Sequence, residues 1–332
     1  MMIMSKRRIP RRIDKSLIVK TGILVLSGIT ILMFFCIMKE INNLGNQGVI
    51  YENDKRVEFY RSFIPLRKWE ILAPTISANG AGVVMINERG KKFLFDKNTN
   101  IGLPIASITK LMTAVIAMEQ YELDHELVVS EEAFMKDFHR PNNLYPGETY
   151  KVRDLLYASL IESSNSAAQT LAEGRTVYDY DRSDGPFIAK MNQKAGDLGM
   201  DKTFFSNPTG LDPTIPGISI NRSSPRDLVI LVEYLLDQPI IWDILSTETY
   251  TLRTADGGFK YNMVNTNQLL GEIDKLKGGK TGTSSRAGQN LLAVFERDGN
   301  IIITIILGSR TRLEDTRTLL NWIESAYHWK VL

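Results

Sequence analysis

Residues that build disulfides, structural metal sites and zinc-protease centres are scarce in this sequence. Only one of the 332 residues is a cysteine, Cys36, which excludes an intrachain disulfide and a structural zinc site built on two or more thiolates. The three histidines, His125, His139 and His328, form no H-x-x-x-H pair, so the helical zinc-protease motif is absent. An excess of one charge is also missing. Because 40 basic and 38 acidic residues leave a net charge of +2, nucleic-acid binding through a broad basic surface is not expected.

The small net charge conceals a basic N-terminus followed by a long apolar run. Residues 1–20 contain seven lysines and arginines against one aspartate, and Thr21–Met38 has no charged residue over 18 positions. Residues 17–38 are long enough to cross a hydrocarbon core about 30 Å thick as one helix. The basic cluster predicts a cytoplasmic tail over residues 1–16 and an extracytoplasmic location for everything after Met38.

The apolar run predicts a permanent single-pass anchor in the cell membrane. It is longer than the apolar core of a cleavable signal, and Lys39 and Glu40 follow it without a clear small-x-small cleavage site. A cleaved signal peptide and a buried globular helix are the alternatives. Residues 39–75 begin with a polar stretch and are predicted to form a stalk, which leaves residues 76–332 as the folded domain.

Strand patterns occupy both ends of the folded domain, and helical patterns occupy its middle. Apolar strand-like runs flank the turns at Glu88–Gly90 and Asp298–Asn300, which predicts one hairpin near each end. We expect a sheet assembled from distant parts of the chain. Helices are predicted over residues 107–120, 152–173 with a break at Ser163–Ser166, 186–199, 225–237 and 313–327.

A serine and a lysine three residues apart open the list of candidate catalytic groups. Residues i and i+3 share a helix face, so the Lys110 amine is expected within reach of the Ser107 hydroxyl. Apolar neighbours on both sides would bury Lys110 and lower its pKa, which a lysine base requires. The sequence has no G-x-S-x-G, and a Ser-His-Asp triad is weakly supported. The alternative is a surface serine and lysine on an amphipathic helix.

Two further short motifs follow Ser107. Ser163 and Asn165 form an S-x-N motif that interrupts an otherwise apolar helical stretch, where polar groups must find partners. Other copies lie at 77–79, before Ser107, and at 219–221, in a loop rich in proline and glycine that predicts solvated polar groups. We therefore favour the Ser163 copy for a proton relay and for orienting a lysine or a substrate carbonyl. A helix cap is the alternative.

The third motif is Lys280-Thr281-Gly282-Thr283. An ammonium and hydroxyls on a strand edge can receive a carboxylate, and the lack of a side chain at Gly282 would let a substrate lie against the strand. An ordinary solvated turn is the alternative. A second K-T-G at residues 20–22 stands at the mouth of the membrane segment and cannot serve an extracytoplasmic site, so specificity depends on order and context.

The order S-x-x-K, S-x-N, K-T-G resembles the motif set of penicillin-binding proteins and class A β-lactamases. The resemblance runs from about Ala81 to Trp322, and longer segments narrow it to one group of these proteins. The segments that resemble the serine D-alanyl-D-alanine carboxypeptidases, the low-molecular-mass penicillin-binding proteins, are PIASITKLMTA, PGETYKVRDLLYASLIESSNSAAQTLAE, MNQKAGDLGMDKTFFSNPTGL and GGKTGTSSRAGQNLLAV. The resemblance implies an α/β (α+β) fold in which a mostly antiparallel sheet is flanked by helices, with a helical subdomain. It implies no cofactor and no metal.

The resemblance also implies an activity and roles for the motif residues. The expected substrate is a peptidoglycan stem peptide ending in D-Ala-D-Ala, with β-lactam antibiotics as inhibitors. Ser107 resembles the acylated nucleophile and Lys110 its base, while Ser163 and Asn165 would line the opposite wall, with Ser163 in proton transfer. Lys280 and Thr281 resemble the residues that hold the terminal carboxylate, and Gly282 and Thr283 belong to the same substrate-binding wall. The backbone N–H groups of Ser107 and Thr283 resemble the groups that bind the oxyanion. Arg312 resembles a carboxylate-contacting arginine in a looser match.

Three other functions fit parts of the same pattern. A β-lactamase shares the acylation step, but no E-x-x-L-N segment stands between the S-x-N and K-T-G motifs to supply a deacylating glutamate. Endopeptidase or transpeptidase action would differ only in the amine that leaves or attacks. A membrane-tethered wall-binding protein without activity is the non-enzymatic alternative, and a decayed site need not keep Ser107, Lys110 and Lys280 together.

Overall fold

The structure, a computed structural model, describes residues 63–176, 184–214 and 217–331. The predicted tail 1–16, the membrane segment 17–38 and residues 39–62 of the predicted stalk lie outside the described residues. Within the described ranges, no helix combines the length and the apolar character that a membrane span requires.

A five-stranded sheet forms the centre of the folded domain. Its strands are β2 (Gly80–Asn87), β3 (Gly90–Lys97), β10 (Leu276–Ser284), β11 (Gly288–Arg297) and β12 (Asn300–Ser309). All neighbouring strands are antiparallel, and the order across the sheet is β10-β11-β12-β2-β3. The first hairpin of the domain therefore pairs with the last one, as the sequence predicts.

Successive side chains of a strand point to opposite faces, and in β2 this alternation supplies two cores. Val83 and Met85 join the core on one face, whereas Val84 joins the larger core on the other. The first core is closed by the helix α8 (Arg312–Ala326), through residues such as Trp322. The second core contains the remaining helices, so the predicted sheet flanked by helices is confirmed.

The five predicted helical stretches are present with small shifts of their boundaries, whereas two short helices, Glu131–Met135 and Pro239–Ser246, were not predicted. Residues 106–109 form a 3₁₀ turn rather than the first turn of an α-helix. The α-helices before α8 are α1 (Lys110–Gln120), α2 (Glu131–Met135), α3 (Val152–Leu160), α4 (Asn165–Glu173), α5 (Gly185–Asp197), α6 (Pro225–Leu236) and α7 (Pro239–Ser246).

Four two-stranded ribbons complete the described part, and one of them corrects the predicted domain boundary. The strand β1 (Phe63–Arg67) lies inside the stretch predicted as a stalk, yet it pairs with β13 (Tyr327–Val331), so the folded domain begins before residue 76. No local pattern predicts β1, because its partner is the last described strand. The ribbons are β1 (Phe63–Arg67) with β13 (Tyr327–Val331), β4 (Leu103–Pro104) with β7 (Arg222–Ser223), β5 (Glu126–Val128) with β6 (Thr149–Lys151), and β8 (Thr249–Arg253) with β9 (Phe259–Val264).

Candidate active site

Ser107 lies in the 3₁₀ turn that leads into α1, at one end of the central sheet. Ala106 before it has φ 45°, a backbone conformation that residues other than glycine rarely adopt. Lys110 is the first residue of α1, and its Nζ donates a hydrogen bond of 2.9 Å to Ser107 Oγ. The predicted i, i+3 contact between the two side chains is therefore confirmed.

The Lys110 ammonium is fully buried and is held from three sides. Besides Ser107, its Nζ donates to Asn165 Oδ1 at 2.8 Å and to the carbonyl oxygen of Thr209 at 2.6 Å. Burial lowers the pKa of Lys110 to about 7, while the charge of Asp137 acts in the opposite direction. A neutral amine keeps two N–H donors for Asn165 and Thr209, which leaves its lone pair for the proton of the Ser107 hydroxyl.

The S-x-N motif forms the wall on the other side of Lys110 from Ser107. Ser163 lies between α3 and α4 with φ 63°, in the left-handed region, and its hydroxyl makes no hydrogen bond with any other described residue. Ser164 caps α4, since its Oγ accepts from the backbone N–H of Ala167 at 3.1 Å. Asn165 is the first residue of α4 and faces Lys110. The preference for this copy of S-x-N matches its position beside Lys110.

Asp137 holds this wall in place, and the sequence analysis did not find it. Its buried carboxylate accepts hydrogen bonds from the backbone N–H groups of Asn165 at 2.6 Å and Ser166 at 2.9 Å. It also accepts from Asn165 Nδ2 at 2.8 Å and from Ser164 Oγ at 2.9 Å. A carboxylate thus binds the unpaired N–H groups at the start of α4, where the helix dipole favours negative charge. The position of Asp137 in a loop, 28 residues before Asn165, gives no local signal of this contact.

The third wall is the edge strand β10, which carries the K-T-G motif. Lys280 is fully buried, and its Nζ donates to the carbonyl oxygen of Thr281 at 3.2 Å. Burial, followed by the positive charges of Lys110 and Arg312, lowers the pKa of Lys280 well below its usual value. The Thr281 hydroxyl shares a 2.8 Å hydrogen bond with the hydroxyl of Thr266. A second buried amine therefore lies in the electrostatic field of Lys110.

Gly282 has a packing role that differs from the predicted one. A Cβ atom built on Gly282 would lie 2.9 Å from the carbonyl oxygen of Ile105 and 3.0 Å from the backbone nitrogen of Ser107. Contacts this short are essentially never seen for real Cβ atoms. The missing side chain therefore lets β10 approach the turn that contains Ser107, rather than only leaving space for substrate.

Arg312 is placed at the same wall, as the loose resemblance implied. It is the first residue of α8, and its guanidinium donates to Thr283 Oγ1 at 2.6 Å and to the carbonyl oxygen of Gly282 at 3.2 Å. Its burial lowers its pKa, although a guanidinium stays charged. All nine residues predicted for the site therefore lie together, on the turn of Ser107 and Lys110, at the S-x-N motif, or at β10 and the adjoining start of α8.

A loop over residues 207–210 packs against the turn that contains Ser107, and its role could not be read from the sequence motifs. Gly210 has φ 82°, and a Cβ on it would lie 2.0 Å from the carbonyl oxygen of Ala106. The Asn207 side chain accepts from the backbone N–H groups of Thr209 at 3.1 Å and Gly210 at 2.7 Å. This loop therefore presents the Thr209 carbonyl to Lys110. The segment NPTGL, rich in turn formers, was the available signal.

Asn221, from the S-x-N copy predicted to be solvated, is buried beneath this loop. Its Nδ2 donates to Thr109 Oγ1 at 2.9 Å and to the carbonyl oxygen of Asn207 at 2.8 Å, and its Oδ1 accepts from the N–H of Ser206 at 2.8 Å. The side chain is only 2% exposed. The prediction of a solvated residue was wrong, because the proline and glycine turns fold back onto α1.

Comparisons with known proteins agree with this geometry. A family model described as peptidase S11, D-alanyl-D-alanine carboxypeptidase, matches residues 69–311. The D-alanyl-D-alanine carboxypeptidase DacF of Bacillus subtilis is 31% identical over 74% of this chain, and the alignment spans 61% of that relative's length. The D-alanyl-D-alanine endopeptidase of Pseudomonas aeruginosa is 29% identical over 75% of this chain and 78% of its own length.

Solved structures show the same fold. Penicillin-binding protein D2 of Listeria monocytogenes, in its ampicillin-bound form, is 31% identical with a TM-score of 0.62, and the match covers 76% of this chain and 99% of that one. The DD-transpeptidase of Streptomyces K15 is 26% identical with a TM-score of 0.66, covering 77% and 100%. Because the family model spans most of the chain and the three motif walls meet at Ser107, this chain belongs to the peptidase S11 family of D-alanyl-D-alanine carboxypeptidases.

Proposed function

We propose that the protein is a serine-type D-alanyl-D-alanine carboxypeptidase that removes the terminal D-Ala from peptidoglycan stem pentapeptides. The observation that carries this proposal is the 2.9 Å contact between Ser107 Oγ and a fully buried lysine whose pKa is lowered to about 7. Such a lysine is partly neutral near neutral pH and can accept the serine proton. The family membership and the carboxypeptidase names of its relatives support the same reaction.

In the acylation step, Lys110 takes the proton of the Ser107 hydroxyl while Oγ attacks the carbonyl carbon of the penultimate D-Ala. The backbone N–H groups of Ser107 and Thr283 bind the developing oxyanion, as the family resemblance implies. When the C–N bond breaks, the departing amine of the terminal D-Ala receives a proton through Ser163, whose hydroxyl has no competing partner among the described residues. Water then attacks the Ser107 ester, and the released serine recovers its proton.

The terminal carboxylate of the substrate is bound by the β10 wall. Lys280 supplies an ammonium, Thr281 and Thr283 supply hydroxyls, and the Arg312 guanidinium reaches Thr283 Oγ1 at 2.6 Å. A bound carboxylate favours the charged form of Lys280 and offsets the cost of burying it. The same cluster would reject substrates that lack a free terminal carboxylate.

Release of D-alanine from a pentapeptide ending in D-Ala-D-Ala tests this activity. We expect wild-type protein to release D-alanine and Ser107→Ala to release essentially none. Ser107→Ala removes one of the three acceptors around the Lys110 amine, so a circular dichroism spectrum like that of wild-type protein is the control for correct folding. Equal release by both proteins would refute the assignment of the nucleophile, and no release by wild-type protein would favour the non-catalytic wall-binding alternative.

We also propose that β-lactams acylate Ser107 and stay bound. The Listeria relative is described with bound ampicillin and bound cefotaxime. The chain has no E-x-x-L-N segment between Asn165 and Lys280 to activate a deacylating water. A penicillin should therefore leave a long-lived adduct on the peptide containing Ser107, seen as a fixed mass increase. Rapid turnover of nitrocefin without a trapped adduct would instead indicate a β-lactamase.

Endopeptidase action is a second candidate, since relatives from Pseudomonas aeruginosa and Escherichia coli are named D-alanyl-D-alanine endopeptidases. The chemistry at Ser107 is unchanged, and only the leaving amine differs. Mass spectrometry of cross-linked and uncross-linked muropeptides before and after incubation separates the two. Loss of cross-linked dimers would support the endopeptidase, and loss of the terminal D-Ala from monomers would support the carboxypeptidase.

For the location of the enzyme, we propose that residues 17–38 anchor it in the cell membrane and that the catalytic domain lies outside the cytoplasm. The support is the uncharged run behind seven basic residues. A membrane fraction that keeps the protein after alkaline carbonate washing, together with digestion of the catalytic domain by protease added to protoplasts, is the expected result. Recovery of the protein in the soluble fraction would contradict the anchor.

A further inference from the structure

An exposed cluster of rings lies beside the wall that carries Ser163 and Asn165. We call it the aromatic surface, and its members are Phe134, Phe138, His139 and Tyr145. Ring centroids are 5.6 Å apart for Phe134 and Phe138, 5.6 Å for Phe134 and Tyr145, and 5.1 Å for Phe138 and His139. Phe138 and Tyr145 are 53% and 50% exposed, so these rings face solvent instead of closing the core. Exposed apolar groups in contact with one another commonly mark binding surfaces.

The aromatic surface is connected to the active site through a chain of hydrogen bonds. Three hydrogen bonds connect Ser107 through Lys110 and Asn165 to Asp137, which directly precedes Phe138. Since an extended pentapeptide spans about 17 Å, a polymer attached to the far end of a stem peptide seated at Ser107 lies within about that distance of the site.

A second link fixes the aromatic surface against the loop before the S-x-N motif. Arg140, which follows His139, donates to the carbonyl oxygen of Glu162 at 3.0 Å, and Tyr261 of β9 donates to the Glu162 carboxylate at 2.7 Å. Glu162 is the residue before Ser163. The segment that displays the rings and the strand β9 thus meet at the edge of the catalytic wall, which gives the surface a fixed position relative to Ser163.

Two basic side chains border the rings. Lys260 lies 4.3 Å from the ring centroid of Tyr145, and its ammonium also pairs with Glu148, which leaves that carboxylate neutralised. Arg140 is about one-third exposed. Rings bordered by N–H donors match a ligand that has apolar C–H faces and many acceptor oxygens, which is the chemistry of a saccharide. Four rings are a small area compared with the roughly 800 Å² per partner of a stable protein interface.

On the basis of the proposed function, we propose that the aromatic surface binds the sugar rings of the glycan strand to which the stem peptide is attached. The rings of Phe138 and Tyr145 pack against the C–H faces of the amino sugars. His139, Arg140 and Lys260 donate hydrogen bonds to hydroxyl and acetamido oxygens. The enzyme therefore acts better on stem peptides carried by glycan than on free stem peptides.

Kinetics with two substrates test this proposal. Phe138→Ala and Tyr145→Ala should lower kcat/KM for a disaccharide-linked pentapeptide by about three- to tenfold, the range for one lost ring contact, and should leave kcat/KM for the free pentapeptide within twofold of wild type. Trp69→Ala, which removes a ring that is 82% exposed and lies in the segment after β1, is the matched control and should change neither value. An equal loss on both substrates, or no loss on either, would overturn the proposal.

A binding measurement separates failure of this proposal from failure of the proposed activity. Glycan strands stripped of peptide should bind to Ser107→Ala protein in calorimetry and should bind at least threefold more weakly when Phe138→Ala is added. If wild-type protein releases no D-alanine from either substrate, the proposed activity fails while the calorimetry still tests the glycan surface. If stripped glycan does not bind to Ser107→Ala protein, the proposal of a glycan surface is overturned whatever the activity on D-Ala-D-Ala.

Discussion

The pKa of Lys110 can be moved in opposite directions by removing one charge at a time. Burial lowers it to about 7, the Asp137 carboxylate raises it, and the Arg140 guanidinium lowers it. Asp137→Asn removes the negative charge and keeps the size of the side chain, so the pKa should fall. Arg140→Gln removes the positive charge, so the pKa should rise.

The magnitude follows from the contacts. The Asn165 side-chain amide bridges Lys110 and Asp137 with hydrogen bonds of 2.8 Å on each side. The two charges are therefore roughly 7 Å apart, and at an effective dielectric constant of about 20 their interaction is worth about 2 kcal/mol. That energy corresponds to a shift of roughly one to two pH units. Arg140 contributes less than Asp137 and should produce a smaller shift of the opposite sign.

In the proposed mechanism only the neutral form of Lys110 accepts the Ser107 proton, so the acylation rate should fall about tenfold for each pH unit below the pKa and level off above it. For wild-type protein the midpoint is expected near pH 7. The assay is the rate of covalent labelling by a saturating fluorescent penicillin between pH 5 and 9. Asp137→Asn should move the midpoint to lower pH, and its plateau should also drop because one acceptor oxygen is lost.

Opposite shifts in the two variants are the decisive result. Glu296→Gln removes an exposed acidic group at the end of β11, remote from Lys110, and should leave the midpoint unmoved. The assignment of Lys110 as the titrating base would be refuted if Asp137→Asn and Arg140→Gln shifted the midpoint in the same direction. It would also be refuted if neither substitution shifted the midpoint.

Two substitutions, Gly282→Ala and Asn221→Ala, test the packing around the site, and Gly196→Ala tests a helix position with open space around it. Gly282→Ala places a methyl group 2.9 Å from the Ile105 carbonyl oxygen and 3.0 Å from the Ser107 nitrogen, so penicillin labelling should slow at least tenfold while the protein remains folded on circular dichroism. Gly196→Ala, inside α5 with nothing within 4 Å of the new methyl group, should raise the free energy of unfolding in urea by up to about 1 kcal/mol with labelling unchanged. Asn221→Ala leaves several buried polar groups unpaired and should lower that free energy by about 2–4 kcal/mol.

Features with a local repeat could be predicted from the sequence. The two hairpins and five helical stretches were found because apolar residues recur with period two or 3.6, and the Ser107–Lys110 contact because i and i+3 share a helix face. The helix α7 and the hairpin of β8 and β9 were missed. Both are short, and apolar runs of that length do not distinguish strand from helix.

The partners that complete the site lie far apart in the chain, and no local pattern predicts them. Asp137 meets Asn165 across 28 positions, and Thr209 meets Lys110 across 99. Asn221 was taken for a solvated loop residue because only its neighbours in sequence were considered. The resemblance to a family assigned roles to the three motifs, but it did not identify which side chains hold them in place.

Lys110 shows why the chemistry depends on those distant partners. Its apolar neighbours in sequence predict burial, but full burial also requires the start of α4 and the loop over residues 207–210, which lie against it and accept its hydrogen bonds. Because burial is the largest contribution to the lowered pKa, any change that admits water beside Thr209 should raise the pKa toward that of an ordinary lysine. The base would then be protonated at neutral pH even with Ser107 and Lys110 intact. The pH midpoint of acylation therefore reports the assembly of the three segments, and not only the presence of the motif.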